Sequence, residues 1–413
     1  MKLFLITIIS LIALITPKVV HASQPYWEVQ SIDTMKFSRD LARERLKDIN
    51  FEKTIEQQVK LIARVGATHV AVGTPYDEEF IPYLHKWVSE ARKNNLNVWF
   101  RGNFSGWEGW FGYGRINRDE HLRSIEKFIL DNPSLFEDGD IFTSCTECEN
   151  GGGGDPRYTG DINGYREFLI TEYEISKNAY EQIGKKVDSN YFSMNGDVAR
   201  LIMDKKTTEA LGGIVVIDHY VVEPAQLVRD IIEIGERSGG RIVLGEIGAP
   251  IPDIHGAMTE YQQALWIDRA LSELSSIESL VGINYWTSFG GTTSIWKDDG
   301  TEKPAVGVIS GYYQPEMLSG QVVNEIRHPI ADVSVIANSN ISKTDNSGQF
   351  TILKVPSTYK ITVIAHDYKQ IELSISDLEG LNEIVLEKIN EDFIFKFQKW
   401  IYNLRKEILG TLK

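Results

Sequence analysis

A chain of 413 residues exceeds one average domain, and 42% hydrophobic against 24% charged residues is an ordinary globular balance. A barrel-sized unit with something smaller attached is therefore the expectation. The formal charge of −15 and pI near 5.1 argue against nucleic acid or an anionic membrane as the main partner.

The chain opens on Met1-Lys2, an apolar run Leu3–Ile15 and a small-residue step at Val20-His21-Ala22. That order reads as an export signal over residues 1–23, too short for a comfortable membrane span, and it predicts a secreted or cell-surface protein. From about Ser31 to Gly290, short apolar runs alternate with amphipathic runs, the pattern of a parallel sheet with crossover helices. The expected strands are Ile32–Phe37, Thr68–Val72, Asn97–Arg101, Ile141–Glu147, Val187–Phe192, Ile214–Tyr220, Ile242–Glu246 and Val281–Trp286. Eight strands favour a closed α/β barrel, a (β/α)8 TIM barrel over residues 24–315, rather than an open sheet. Apolar stripes such as Ile55, Val59 and Ile62, or Leu227, Ile231 and Ile234, supply the helices between them. No dinucleotide or P-loop glycine pattern follows the first strand, and Gly151–Gly154 reads as a flexible loop. Cys145 and Cys148 are half a zinc site at best and are read as packing residues.

After Tyr313 the texture changes to period-two alternation, as in Tyr359, Ile361, Val363 and Ala365, with turn chemistry at Asp345-Asn346-Ser347-Gly348. A small antiparallel β-sandwich is expected over residues 316–388. Residues 389–413 form an amphipathic stretch with Phe393, Phe397, Ile401, Leu404 and Ile408 on one helical face. Two readings stand for this tail: a helix docked on a neighbouring domain, or an interfacial helix giving weak membrane association.

Chemistry concentrates at strand ends. Glu246 closes an apolar run just before a Gly/Pro break, with Ile242 and Leu244 expected on its strand face. Glu147 closes strand four, sharing a face with Thr143 and Cys145, and Glu149 keeps the same parity as a fallback. A buried carboxylate is costly unless something uses or pairs it, and two carboxylates across a scissile bond are what glycoside hydrolysis needs. Arg101 ends strand three, where it either orients a hydroxyl or carboxylate or makes a structural ion pair. The loop after it carries Trp107, Trp110, Phe111 and Tyr113, which suggests a stacking platform for sugar faces, against local loop packing. His69, His85 and His121 fall in strand or helix patterns and are read as structural. The His/Cys/Asp spacing of a metal site is lacking, and no cofactor is expected.

These residues resemble the clan-A glycoside hydrolases, the cellulase- and mannanase-like barrels, over about Ser31–Tyr313. Gly245-Glu246-Ile247-Gly248 is similar to the clan's nucleophile motif, and the resemblance implies Glu147 as the acid/base. Asp218-His219-Tyr220 resembles the strand-six element, which implies that Tyr220 hydrogen-bonds the nucleophile and His219 serves substrate binding. Gly282-Ile283-Asn284-Tyr285-Trp286 is similar to the strand-eight element whose Trp floors a sugar subsite. One position departs: the clan has Asn before the acid/base, and this chain has Thr146, whose hydroxyl could meet the sugar. The segment with Gly320-Gln321-Val322-Val323, Thr344-Asp345-Asn346-Ser347-Gly348-Gln349-Phe350 and His366-Asp367-Tyr368 resembles the carboxypeptidase regulatory-like domain, an accessory module. Together these imply a retaining β-glycosidase acting on a β-linked glycan. The alternative is a barrel without activity that binds glycan as a cell-surface module, which Thr146 favours.

Overall fold

The computed structural model describes residues 24–378 and 383–389; the expected export signal and residues 390–413 of the expected amphipathic tail lie outside the described residues. Eight parallel strands follow one another around a barrel: β1 Val29–Asp33, β2 His69–Val72, β3 Asn97–Phe100, β4 Ile141–Phe142, β5 Ser193–Asn195, β6 Ile214–Asp218, β7 Arg241–Ile247 and β8 Leu280–Tyr285. The order β4-β3-β2-β1-β8-β7-β6-β5 leaves β4 and β5 as its ends, and a parallel bridge runs from Ile141 of β4 to Asp188, in the segment that leads into β5. Val29, Trp99, Ile141, Tyr191, Val216 and Val243 cluster as the interior fill. Ile32, Val70, Val98, Ile242 and Leu244 belong to the larger core packed under the helices. This alternation is the period-two signature of a strand with two buried faces.

Three expected strands depart most from the observed ones. β1 ends at Asp33, because its carboxylate accepts the Met35 N–H at 2.5 Å and the chain turns into a short helix, Met35–Ser38. β4 stops at Phe142, and Thr143 turns inward to take the Trp99 indole N–H at 2.9 Å. β5 lies at Ser193–Asn195, not Val187–Phe192; the earlier segment forms a single bridge to β4, at Asp188.

The register around Glu246 departs most tellingly from the expectation. Val243 faces the interior while Ile242 and Leu244 face the helices. Simple alternation would send Glu246 outward with Leu244. The pairing of β7 instead shifts at this point, on its β6 side and on its β8 side. The extra residue, Gly245, reverses the parity and turns Glu246 into the barrel mouth, a use of the β-bulge found beside active sites. A Cβ on Gly245 would stand 2.4 Å from Asp218 Oδ1 and 2.8 Å from Val216 Cγ1. Gly245→Ala is therefore expected to cost about 1–3 kcal/mol through overpacking. A denaturant midpoint equal to that of the parent protein would show that the bulge has room to relax.

Beyond the barrel, two sheets enclose a separate apolar core of Val322, Val335, Phe350, Ile352, Ile361, Val363 and Leu386. One sheet runs β11-β10-β13-β14, from Asn340–Lys343, Ser334–Ala337, Lys360–Ile364 and Ile371–Ser374. The other runs β12-β9-β15, from Gln349–Lys354, Glu316–Asn324 and Ile384–Leu386. The pairings are antiparallel except for β9 with β15, which is parallel. Polar contacts tie this unit to the barrel: Asn338 Nδ2 donates to Ser275 Oγ at 2.7 Å, and Ser339 Oγ to the Ser275 carbonyl at 2.8 Å. No helix among the described residues is long and apolar enough to cross a membrane.

Candidate active site

The C-terminal ends of β1, β3, β6 and β7 converge on one guanidinium. Arg101 follows β3, its backbone N–H donating to the Val72 carbonyl at 2.8 Å, and its side chain turns inward over the Trp99 ring at 5.4 Å. It donates to Asp33 Oδ2 at 2.7 Å, to Asp218 Oδ2 at 3.2 Å and to Glu246 Oε1 at 3.2 Å. Burial works against the cation, but Asp218, Glu246 and Asp33 together outweigh it and hold Arg101 protonated far above its ordinary range. Of the two readings for this residue, the ion pair is what the structure contains, and its partners include the strand-seven glutamate.

Glu246 receives a second donor, the Tyr220 hydroxyl, at 2.7 Å on Oε2. Burial raises the pKa of this carboxyl, while Arg101 and the Tyr220 hydrogen bond draw it back. Glu147 stands in a different setting. It lies beyond β4 in the left-handed region (φ 45, ψ 57), with its N–H donating to the Ser193 carbonyl at 3.0 Å. A disulfide between Cys145 and Cys148 closes the turn around it, so these cysteines are a covalent staple as well as buried packing groups. Asn195 Nδ2 donates to Glu147 Oε1 at 3.2 Å and Asn150 Nδ2 to Oε2 at 3.1 Å. Burial first, then the charges of Glu246 and Glu149, push the Glu147 carboxyl up to about 7. The cation sits beside Glu246 and only neutral amides sit beside Glu147, so the proton belongs on Glu147 and the charge on Glu246.

Glu149, the fallback acid, is fully engaged. Its Oε1 accepts the Asn195 backbone and side-chain N–H groups at 2.8 and 3.1 Å, and its Oε2 accepts the Tyr165 hydroxyl at 3.3 Å. Trp286, at the end of β8, is half-buried, with the Tyr220 ring edge-on at 6.3 Å and the Lys36 ammonium 5.2 Å from its centroid. Trp110 is half-buried under the Arg39 guanidinium, 4.7 Å from the ring. The Thr146 hydroxyl donates to the Arg101 carbonyl at 3.0 Å, which occupies its proton inside the protein and leaves only lone pairs for a sugar.

Two expected sugar contacts are placed otherwise. Trp107 is 1% exposed, stacked on Phe168 at 5.3 Å, with its indole N–H on the Cys148 carbonyl at 3.0 Å. It holds the loop from beneath and offers no open face. The glycines read as a flexible loop rest on it: a Cβ on Gly152 would lie 1.9 Å from its ring, and one on Gly151 2.2 Å from its carbonyl oxygen. His219 reaches Asp230 through Nε2 at 2.8 Å, and its Nδ1 lies against Gly196, where a Cβ would come within 2.8 Å. Nε2 is thus committed to Asp230, while the His219 backbone N–H donates to the Glu246 carbonyl at 3.0 Å.

The sequence reading missed Asp33, Asp218 as a site acid, Ser193 and Asn195. Asp33 and Asp218 each close a strand just as Glu246 does, so the strand-end rule applied to every strand would have found both. Asn195 carried no such signal, because its strand was placed several residues too early. Among the described residues no group of three or more His, Cys, Asp and Glu side chains is arranged to hold a metal ion.

No protein-family model matches this chain, and no curated protein matches it. Similar solved structures are glycoside hydrolases. A GH5_18 from Bifidobacterium longum subsp. infantis aligns at 13% identity and TM-score 0.52, covering 73% of this chain and 84% of that one. A GH5_18 variant from Bifidobacterium longum subsp. longum ATCC 55813, in complex with Manb1-4GlcNAc, aligns at 12% identity and TM-score 0.50 with the same coverage. Bacteroides uniformis beta-glucuronidase 2 aligns at 11% identity and TM-score 0.45 over 81% of this chain, which spans only 44% of that protein. At these identities the likeness is one of fold.

Proposed function

We propose that this chain is an exported retaining β-glycosidase that hydrolyses a β-linked oligo- or polysaccharide by double displacement. The observation that carries the reading is the asymmetry of two carboxyl groups at one barrel mouth. Glu246 is held by Arg101 and Tyr220, and Glu147 is pushed up to about 7 by burial and neighbouring charge. In the first step the Glu246 carboxylate attacks the anomeric carbon, the glycosidic C–O bond breaks, and the leaving oxygen takes the proton of Glu147. In the second, water attacks the glycosyl ester, gives its proton to the Glu147 carboxylate, and Glu246 leaves as carboxylate. Trp286 supplies a stacking surface, Trp110 borders the same cleft, and the β-sandwich serves as an accessory module of the carboxypeptidase regulatory-like kind.

The fold neighbour was captured with Manb1-4GlcNAc, so β-mannosides belong in the substrate panel beside β-glucosides, β-xylosides and β-glucuronides. The test is stereochemical. Proton NMR should show the first product with β configuration, and a 2-fluoro glycoside should label Glu246, located by peptide mass. Initial release of the α anomer would mean an inverting site with carboxyl groups about 6.5–9.5 Å apart and would overturn the assignment. Thr146 favours the second reading, a glycan-binding barrel without turnover; that reading predicts binding with no label on Glu246.

A further inference from the structure

Glu149 is a carboxylate of this cleft to which the double-displacement reading gives no work. It is 2% exposed, two residues past Glu147, and among the described residues it has no salt-bridge partner. A buried carboxylate without a cation is expensive, and a glutamine would still accept the two Asn195 donors at less cost. Burial raises the Glu149 carboxyl, and the Asn195 and Tyr165 hydrogen bonds draw it back toward the charged form.

We propose that Glu149 is a positioning residue for the acid/base: it clamps Asn195, and the clamped amide together with the Glu149 charge keeps Glu147 aimed and protonated. The inference rests on the reading of Glu147 as acid/base. Its geometry is a bridge. Asn195 ends β5 with its backbone N–H on Glu149 Oε1 at 2.8 Å. Its Nδ2 donates to that same oxygen at 3.1 Å and to Glu147 Oε1 at 3.2 Å. The two hydrogens of one planar amide therefore serve two carboxyl groups, which fixes both the Asn rotamer and the Glu147 oxygen it meets. Tyr165, from the helix Ile162–Ile183, anchors the far oxygen of Glu149. The disulfide between Cys145 and Cys148 closes the backbone turn that carries Glu147.

The charges around Glu147 come from several elements. Glu246 of β7, Glu149 and Glu108 of the loop after β3 favour its protonated form, and Arg101 opposes them. Asp218 of β6 belongs to the same coupled set, since its own carboxyl feels Glu147. Glu149 is the member of this set that also shares a hydrogen-bond donor with Glu147. It joins the electrostatic role to the geometric one.

Glu149→Gln in the full chain tests this. A glutamine Oε1 still accepts both Asn195 donors, and its Nε2 meets the Tyr165 hydroxyl as donor where Oε2 had accepted, so the bridge to Asn195 survives while the charge is lost. The titration of Glu147, followed by carbon NMR of the side-chain carboxyl in Glu-labelled protein and assigned by Glu147→Gln, should move down by about one pH unit. The alkaline limb of kcat/KM on a poor leaving group should fall by the same amount. The rate loss at pH 7 should be larger there than with a 2,4-dinitrophenyl glycoside, whose leaving group needs little proton. An unmoved titration, or equal losses on both leaving groups, would overturn the proposal. Azide rescue of Glu149→Ala but not of Glu147→Ala would also overturn it, by making Glu149 itself the acid/base. The NMR titration needs no turnover, so it judges the effect of the Glu149 charge on Glu147 even where the absence of Glu246 labelling has sunk the functional reading.

Discussion

Glu246→Gln is expected to lower kcat on an aryl β-glycoside by about 10⁴-fold or more, a barrier increase above about 5 kcal/mol, with the fold retained. The amide keeps the size of the carboxyl, and its oxygen still accepts the Tyr220 hydroxyl that now lies 2.7 Å from Oε2. Arg101 loses one anionic neighbour but keeps Asp33 at 2.7 Å and Asp218 at 3.2 Å. What disappears is the electron pair that must form the bond to the anomeric carbon, and no neighbour can supply it. KM should move little, because the lost interaction belongs to the transition state. The parent pH profile should be bell-shaped, as a coupled pair requires. Its falling limb should lie near the value of about 7 to which Glu147 is raised, since above it the acid has lost its proton. A cooperatively melting variant that keeps more than about a tenth of the parent rate would remove Glu246 from the role of nucleophile.

The parts of this site that were legible in the sequence are those carried by local pattern. Alternating apolar and amphipathic runs are a statement about which faces are buried, so the eight strands could be counted. The Gly/Pro break after β7 marked Glu246, and it was the family resemblance of the Asp218-His219-Tyr220 run that implied the hydroxyl meeting it. What stayed hidden was decided by contacts between distant residues. Alternation alone put Glu246 on the face of Leu244; a bulge at Gly245, forced by both neighbouring strands, put it on the other. Trp107 looked like a platform because loops face solvent, yet Phe168 and the glycine run close over it. His219 looked like a sugar ligand, and Asp230 on a helix eleven residues further on had already taken it. Arg101 could be read only as a charge at a strand end, since its three acidic partners lie on β1, β6 and β7.

That arrangement makes Arg101→Met the strongest expected effect on stability. The parent cluster sets one guanidinium, 1% exposed, against Asp33, Asp218 and Glu246. Removing the cation leaves buried carboxylates uncompensated, and breaking a buried ion pair in this way costs about 3–5 kcal/mol. The loss should depend on pH in a definite direction. Burial already raises the Asp218 and Glu246 carboxyls, and Arg101 is the group that pulls both back. Without it they rise further. A carboxyl whose folded pKa lies above its unfolded value stabilises the fold fully below the unfolded pKa, near 4, and that contribution is lost as pH rises through the folded value. The stability gap between parent and variant should therefore be smallest near pH 4 and widen steadily toward pH 7 and above. Urea midpoints measured across that range would show it, and a gap of constant size would mean that packing over Trp99, not charge, is what Arg101 contributes. Arg101→Lys should fall between the two, because an ammonium supplies the charge but not the fork that spans donors to three carboxylates at once.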